Sequence, residues 1–238
     1  MDDALALWSY LARDPLLWLS LTLAAYITAE WISTLCRRHP LANPVMIAVI
    51  LLALVLQVTG TRYQTYFEGA QFVHFMLGPA TVGLALPLYQ NLSRVRRAAL
   101  PMLAALLSGS LVAMLSALGL GWVFGLRDSV LLSLVPKSAT APVALGVSEA
   151  VGGIPTLTAA MVILTGIIGA VVATPLLNAL GVRDWRARGF AVGVAAHGIG
   201  TAHAFRVNPT AGAFSGIGMG LNAILTAILA PLVVGLLF

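Results

Sequence analysis

The residues whose types and spacing could do chemistry lie in two short polar interruptions of apolar sequence. The first reads Pro-Lys-Ser-Ala-Thr and supplies an ammonium group and two hydroxyls, from Lys137, Ser138 and Thr140. The second reads His-Gly-Ile-Gly-Thr, and its candidates are His197, Gly198, Gly200, Thr201 and nearby His203. Ammonium groups, hydroxyls and backbone N–H groups beside glycine are all hydrogen-bond donors. Both interruptions therefore predict an anion site, and a small carboxylate is the simplest ligand.

Lys137 is the strongest single candidate. The sequence is uncharged from Ser129 to Pro136, and the next charge after Lys137 is Glu149. A charged side chain inside a membrane segment costs about 3 kcal/mol on insertion scales and is functional by default. The alternative is that Lys137 snorkels from a loop at the membrane interface.

Each of the remaining candidates also has a purely structural interpretation. His197 and His203 would contact substrate or a proton, or would pack helices by bonding to backbone. Further candidates for proton coupling are Glu149 and Glu30, and further candidates for substrate binding are Pro79 and Thr81. The Gly-Pro pair at residues 78–79 predicts a break, although such a pair by itself often gives only a kink.

The composition shows which elements must position these residues. The chain of 238 residues is 60% hydrophobic and 9% charged, with a mean hydropathy of +0.97, whereas a soluble domain is about 25% charged. These values exclude a soluble enzyme, a disordered chain and a disulfide scaffold, and they predict an all-α polytopic membrane protein surrounded by lipid. No nucleophile with its base and no metal-ligand set is evident, so we expect no enzyme and no cofactor.

Six apolar runs have the length of membrane spans. They cover residues 16–34, 41–58, 70–90, 98–118, 154–180 and 212–238. Basic turns follow the first, third and fifth runs, at residues 37–39, 94–97 and 183–188. This clustering, within a net charge of +5, is the positive-inside pattern of a membrane protein and not a nucleic-acid footprint. It places the N-terminus in the periplasm, where we expect no cleaved signal peptide.

Two further stretches, residues 130–151 and 189–206, contain breaks at their middle. All three basic turns fall on the cytoplasmic side only if residues 130–151 form a re-entrant hairpin. The prediction is therefore about six full spans and two broken helical hairpins. Residues 1–97 would be largely scaffold, and residues 98–238 would be the core that carries both hairpins.

Short internal matches indicate that the core is an inverted repeat. Leu107-Ser-Gly109 resembles Leu164-Thr-Gly166, and Thr140-Ala141 matches Thr201-Ala202, in the same order. Each unit is one full span and one broken segment, so the second unit is upside down relative to the first. Such repeats, with half-helix N-termini facing an anion, are typical of secondary transporters, here of the elevator type.

At these same segments the chain resembles the LrgB/CidB family. The matching strings are FMLGPATVGLALPLY (75–89), PKSATAPVALGVSEAVGG (136–153), AAHGIGTAHAF (195–205) and GAFSGIGMGLNAILTAILAPL (212–232). The family is described as antiholin-like or as regulating murein hydrolase export and autolysis. Its plant chloroplast relative is a glycolate/glycerate transporter, and bacterial members are linked to pyruvate or acetate. The resemblance also implies a separate small LrgA/CidA-type membrane protein as partner, and a homodimer.

Two functions from different classes remain open. One is a carrier of small monocarboxylates, with uniport, proton coupling and sodium coupling all open. The other is a holin-like or antiholin-like regulator of autolysis, which needs no internal anion site.

Overall fold

The computed structural model describes residues 14–37, 42, 44–76, 79, 89 and 92–238. The elements in this part of the chain are helices and no strand is among them, which confirms the all-α prediction. The chain divides into two compact units, Met1–Ala80 and Thr81–Phe238. Thr81 and most of the predicted span over residues 70–90 lie outside the described residues.

The first unit contains α1 (Pro15–Leu35), α2 (Pro44–Thr59) and α3 (Tyr63–Phe75). The Asp14 carboxylate caps α1 by accepting a hydrogen bond from the N–H of Leu16 at 2.9 Å. Within α1, Trp18 is buried and meets the ring of Tyr66 edge-on, with 5.8 Å between the ring centroids. The aromatic pair therefore joins α1 to α3.

Helix α3 begins seven residues before the predicted span, at Tyr63 rather than at residue 70. Tyr63, Tyr66 and Phe67 lie on neighbouring turns, and the ring of Tyr63 contacts the rings of both Tyr66 and Phe67. A Cβ at Gly69 would meet the backbone of Pro15, so α1 and α3 approach closely at this position. Aromatic packing against α1 extends α3 toward the N-terminus. Hydropathy did not predict this extension, because the segment contains polar residues such as Gln64 and Glu68.

The second unit contains seven helices in the described chain. They are α4 (Leu92–Arg97), α5 (Ala99–Val123), α6 (Asp128–Leu132), α7 (Ala141–Ala150), α8 (Pro155–Ala179), α9 (Trp185–Val207) and α10 (Pro209–Leu237).

Four of the described helices are long and apolar enough to cross a membrane: α1, α5, α8 and α10. Helix α2 is apolar but has 16 residues, about 24 Å of helix against about 30 Å of hydrocarbon. Large apolar side chains lie on the outside of the spans, among them Leu100 and Leu236, which are 80% and 84% exposed. The chain is therefore a multi-pass membrane protein. Within the described residues, four of the six predicted spans are helices long and apolar enough to cross the membrane.

The chain reverses direction between α6 and α7, and we call α6, residues 133–140 and α7 the first hairpin. Ser133, just after α6, accepts a hydrogen bond from the N–H of Ile154, just after α7, at 2.7 Å. Thr158 on α8 bonds to the Ser133 carbonyl at 3.0 Å and to Ser148 at 2.7 Å. The two arms thus return to one end, and the tip at residues 136–140 points into the unit.

Helix α9 also reverses direction, and its two arms form the second hairpin. Ala196 and His197 have non-helical backbone angles, with φ +40° and ψ −136° at His197. A Cβ at Gly200 would lie 2.9 Å from Val192 and 2.6 Å from Ala196, contacts that a straight helix does not allow. The break falls inside the predicted broken segment of residues 189–206.

The two hairpins reach their tips from opposite ends of the second unit. Helix α5 ends beside α6, because a Cβ at Gly121 would meet Leu131. Helix α10 starts beside the first arm of α9, where a Cβ at Gly189 would meet Ala211, and Val233 near its end lies in a core cluster with Leu131. Helix α8 runs back from the α6 end to the α9 end. The tips therefore meet in the middle of the unit.

Candidate functional site

The tip of the first hairpin exposes Lys137 to a cavity. Its backbone turns through two hydrogen bonds, from the N–H of Lys137 to the Leu134 carbonyl and from the N–H of Ala139 to the Pro136 carbonyl. The turn leaves Lys137 half-buried, with Nζ 3.3 Å from the Ser138 hydroxyl. Predicted site residues Lys137 and Ser138 are thus adjacent donors at one surface.

The start of α7 has donors without capping partners. Thr140 is the N-cap residue, yet its side chain makes no capping hydrogen bond, and its hydroxyl is buried without a partner. Pro142 has no N–H, so the backbone donors of the first turn are those of Ala141 and Val143. An uncapped helix N-terminus carries partial positive charge and favours an anion.

At the tip of the second hairpin, the side chain of His197 is a packing element. Its Nε2 lies 2.8 Å from the Val162 carbonyl on α8, and because a carbonyl only accepts, Nε2 carries the hydrogen. The ring fits against Gly166, where a Cβ would lie 2.6 Å from Cε1. His197 is 4% exposed, and these contacts hold its positive φ in place.

The hydroxyl of Thr201 is also used within the protein. It donates to the His197 carbonyl at 2.7 Å and lies 2.9 Å from the Ser215 hydroxyl on α10. Gly200 is buried where the two arms of the hairpin touch, so its role is close packing. Gly198 is exposed and opens the second arm, where its lack of a side chain leaves the backbone accessible.

A cavity of about 500 Å³, the Lys137 cavity, lies between the first hairpin, α8 and the first arm of α9. It is lined by Ala113, Lys137, Ser138, Thr165, Ile168, Gly169, Val172, Ala173, Leu176, Leu177, Ala191, Val192, Ala195 and Ala196. Lys137 is the charged residue among these, and the rest are small or apolar. The cavity thus has one cationic corner and apolar walls.

A second cavity of about 500 Å³, the mouth cavity, leads toward the α9 end between α5 and α9. It shares Ala113, Ala191 and Ala195 with the Lys137 cavity, and Asp184 and Arg186 line its outer part. The shared alanine methyl groups form the boundary between the two spaces. A small solute entering at the α9 end would pass these alanines to reach Lys137.

An ion pair stands at the mouth. Arg186 Nη2 lies 2.5 Å from Asp184 Oδ2, and both side chains are about half exposed. Hydrogen bonds from the side chain and the backbone N–H of Arg186 lower the pKa of the Asp184 carboxyl from 3.8 to about 2. The charges of Asp184 and Arg186 therefore cancel over the physiological pH range.

Two further polar residues were missed by sequence reasoning. Asn222, on α10, is 1% exposed and bonds to both hairpin tips. Arg188 is 8% exposed and donates to Asn178 at 2.7 Å and to the Val182 carbonyl at 3.1 Å, and its guanidinium lies 4.8 Å from the Trp185 ring centre. A signal existed for Asn222, since an amide in an apolar span usually bonds to another helix. Arg188 was concealed within the predicted basic turn at residues 183–188.

The other predicted site residues do not lie at the Lys137 cavity. His203 is half-buried beside Arg188 in a small pocket that shares Ala173, Leu177 and Val192 with the Lys137 cavity but does not contain Lys137. Glu149 is exposed near the end of α7, and Glu30 belongs to α1 of the first unit. Pro79 is exposed, and Thr81 lies outside the described residues. The structure thus brings Lys137 and Ser138 to the cavity, with Thr140 buried two residues further on.

Among the described residues, no group of three or more His, Cys, Asp or Glu side chains is placed to hold a metal ion. The candidate site is a set of hydrogen-bond donors within a multi-pass helical membrane protein, and it lies where two broken helical hairpins meet. This architecture defines the class as multi-pass helical membrane proteins with broken helices, and comparison with known proteins identifies the family.

The family model for the LrgB-like family matches residues 22–236, and the chain belongs to this family. The chain is 34% identical over 201 residues to "Holin-like protein CidB" of Staphylococcus epidermidis, covering 84% of this chain and 88% of that protein. It is 34% identical over 218 residues to "Uncharacterized protein YxaC" of Bacillus subtilis, covering 91% and 94%. It is 35% identical over 216 residues to an "Uncharacterized protein" of Haemophilus influenzae, covering 91% of each chain. No solved structure matches the chain.

Proposed function

We propose that this protein is a secondary transporter of small monocarboxylates in the bacterial inner membrane. The observation that carries the proposal is the cavity at Lys137, which lies where two hairpins from opposite ends of the unit meet. A cation at such depth is expensive unless it is paired or functional. Its only described hydrogen-bond partner is the Ser138 hydroxyl, so it offers its charge to a ligand.

The donors favour one carboxylate group. Lys137 supplies a full charge, Ser138 a hydroxyl, and the uncapped N-terminus of α7 a partial charge. Because the lining has one cation and otherwise small or apolar residues, a monocarboxylate fits its charge better than a dicarboxylate. Pyruvate, glycolate, glycerate and acetate are the members of this class that we propose as substrates.

Transport would proceed by alternating access. The core that carries both hairpins would move, in the manner of an elevator, against a scaffold built largely from residues 1–97. His197 is the proton-coupling candidate nearest the site, because it forms the break itself, whereas Glu149 and Glu30 lie elsewhere. We further propose assembly as a homodimer in lipid and a small LrgA/CidA-type membrane protein as partner.

The second candidate function is regulation of murein hydrolase activity and autolysis without carrier activity. Its support is the printed name of relatives such as "Holin-like protein CidB". That role requires no carboxylate site inside the protein. Ligand binding at Lys137 therefore separates the two candidates.

The sequence permits a direct test, because Lys137 is the only lysine among its 238 residues. Purified protein is treated with a water-soluble acetylating reagent, and acetylation of Lys137 is followed by mass spectrometry. At a glycolate concentration ten times its Kd, the acetylation rate falls about tenfold, because a bound ligand shields the amine. Glycerol, a neutral molecule of similar size, leaves the rate unchanged.

Pyruvate, glycerate and acetate are tested in the same way. If none of the four carboxylates slows acetylation at millimolar concentration, the anion site does not exist. That result would favour the regulatory function.

A further inference from the structure

The side chain of Asn222 lies where the two hairpin tips meet. Its Nδ2 donates one hydrogen bond to the Ser138 carbonyl of the first hairpin and one to the Val194 carbonyl of the second, both at 3.1 Å. Its Oδ1 accepts a hydrogen bond from Ser110 on α5 at 2.5 Å. A single amide group on α10 thus connects both hairpins and α5.

Both carbonyl groups have a reason to need this donor. In an unbroken helix the Val194 carbonyl would accept from the N–H of Gly198, but the reversal at Ala196 and His197 interrupts that ladder. The Ser138 carbonyl lies in the turn before α7, outside a regular helix. A buried carbonyl without a hydrogen-bond partner is destabilising, so Asn222 offsets the cost of both breaks.

The same bonds set the direction of the dipoles around the cavity. Ser138 lines the Lys137 cavity, whereas Asn222 does not, so the bond draws the Ser138 carbonyl oxygen toward α10. A carbonyl oxygen facing the cavity would repel a carboxylate. The bond therefore leaves the donors of the first tip that line the cavity, the Lys137 ammonium group and the Ser138 hydroxyl, facing the ligand.

We propose that Asn222 is a positioning residue that holds the two hairpin tips together as one anion-binding unit. The part of this inference that concerns carboxylate binding rests on the proposed function, whereas the coupling of the two tips does not. Asn222 touches no substrate and acts through the backbone carbonyls of Ser138 and Val194.

The coupling is tested by hydrogen–deuterium exchange of the purified protein. Asn222→Asp keeps the shape and the Ser110 contact but supplies at most one hydrogen, and Asn222→Ala supplies none. In both variants, amide exchange increases at least tenfold in residues 136–144 and also in residues 194–201. Ser215→Ala is the matched control, because it removes the Thr201 contact of the second hairpin alone. Its effect is confined to residues 194–201.

A change confined to one tip in the Asn222 variants, or no change at all, would overturn the coupling. Both Asn222 variants could aggregate or fail to insert into the membrane while Ser215→Ala inserts normally. In that case Asn222 serves folding, and a positioning role is contradicted.

The functional consequence is measured as uptake of labelled pyruvate into liposomes. Asn222→Asp raises KM about tenfold and leaves the maximal rate within threefold, the pattern of lost ligand binding. Ser110→Ala removes the hydrogen bond that Asn222 Oδ1 accepts but keeps both bonds that Asn222 Nδ2 donates. The KM of this variant stays within threefold of wild type. Equal KM values in wild type and Asn222→Asp would contradict the anion-binding part. Absence of uptake by the wild type would contradict the proposed function instead, and the exchange experiment would still decide the coupling.

Discussion

At the scale of residues, charge placement distinguishes the interior of the second unit from its mouth. Lys137 lies among small and apolar side chains, while Asp184 and Arg186 neutralise each other at the α9 end. The ion pair itself therefore adds no net charge on the way to Lys137. The pairing at the mouth matters for this arrangement, because a free carboxylate there would repel a carboxylate substrate.

Arg186→Ala tests that pairing. Without its partner, Asp184 returns toward a pKa of about 3.9 and remains ionised at pH 7, now as an unpaired charge. We expect KM for pyruvate to rise about threefold at 10 mM salt and to approach the wild-type value at 0.15 M salt, where the charge is screened. In the wild type the carboxylate stays ionised and paired until the pH falls toward about 2.

The double variant Asp184→Ala/Arg186→Ala is the control, since it removes both charges and should restore the wild-type KM at low salt. A single variant with wild-type KM at 10 mM salt would show that substrate does not pass this mouth.

The sequence singled out two neighbouring residues that line one cavity, Lys137 and Ser138, but it could not show where the residues of the second hairpin lie. Lys137 and Ser138 are recognisable locally, because a charge in an apolar run has few explanations. The direction of the chain changes at His197, and this change decides which neighbouring helix the residues after it face. Gly200, Thr201 and His203 are among these residues. The turn at His197 is set by contacts with Val162 and Gly166 on another helix, which a local pattern does not contain.

At the scale of elements, the second hairpin is held by close backbone packing against α10. A Cβ at Gly193 would meet the carbonyl of Ser215 and would lie 2.9 Å from the N–H nitrogen of Met219. A Cβ at Gly218 would lie 2.6 Å from the Phe190 carbonyl. Glycines on both helices thus let the two backbones touch, as in other membrane helix pairs.

Gly193→Ala is expected to separate these helices. The added methyl group collides with backbone atoms of α10, and overpacking of this kind costs about 1–3 kcal/mol. For a chain of this size the loss corresponds to a decrease in Tm of about 2–10 °C, measured by thermal unfolding in detergent. Gly220→Ala is the matched control on α10, because its Cβ would meet nothing within 4 Å.

A Tm for Gly193→Ala equal to that of Gly220→Ala would contradict the close contact. The break positions of both hairpins were recognisable from Pro136 and from the glycines after His197. The bounds of α3 were not, since tertiary contacts with Trp18 stabilise a helix that the local polarity conceals.

At the scale of the whole molecule, the second unit repeats one arrangement twice, a long helix followed by a broken hairpin. Helix α5 and the first hairpin are followed by α8 and the second hairpin, and the two hairpins come from opposite ends. The tips are joined through Asn222 beside the Lys137 cavity. In the transporter that we propose, movement of this unit relative to residues 1–97 would carry the site between the two faces of the membrane.

The most direct measurement is uptake of labelled pyruvate, glycolate and glycerate into liposomes that contain the purified chain, with and without an imposed pH gradient. We expect saturable uptake by the wild type and by Arg127→Ala, which removes an exposed positive charge at the α6 end. Lys137→Ala should lower uptake at least tenfold, because a charge-assisted hydrogen bond contributes about 1.5–3 kcal/mol. Stimulation by the pH gradient would establish proton coupling.

Uptake that requires an added LrgA-type partner would make the chain one half of the carrier and leave the role of Lys137 intact. Equal uptake by wild type and Lys137→Ala would contradict the site. Absence of saturable uptake, with and without that partner, would contradict the transporter and favour control of autolysis.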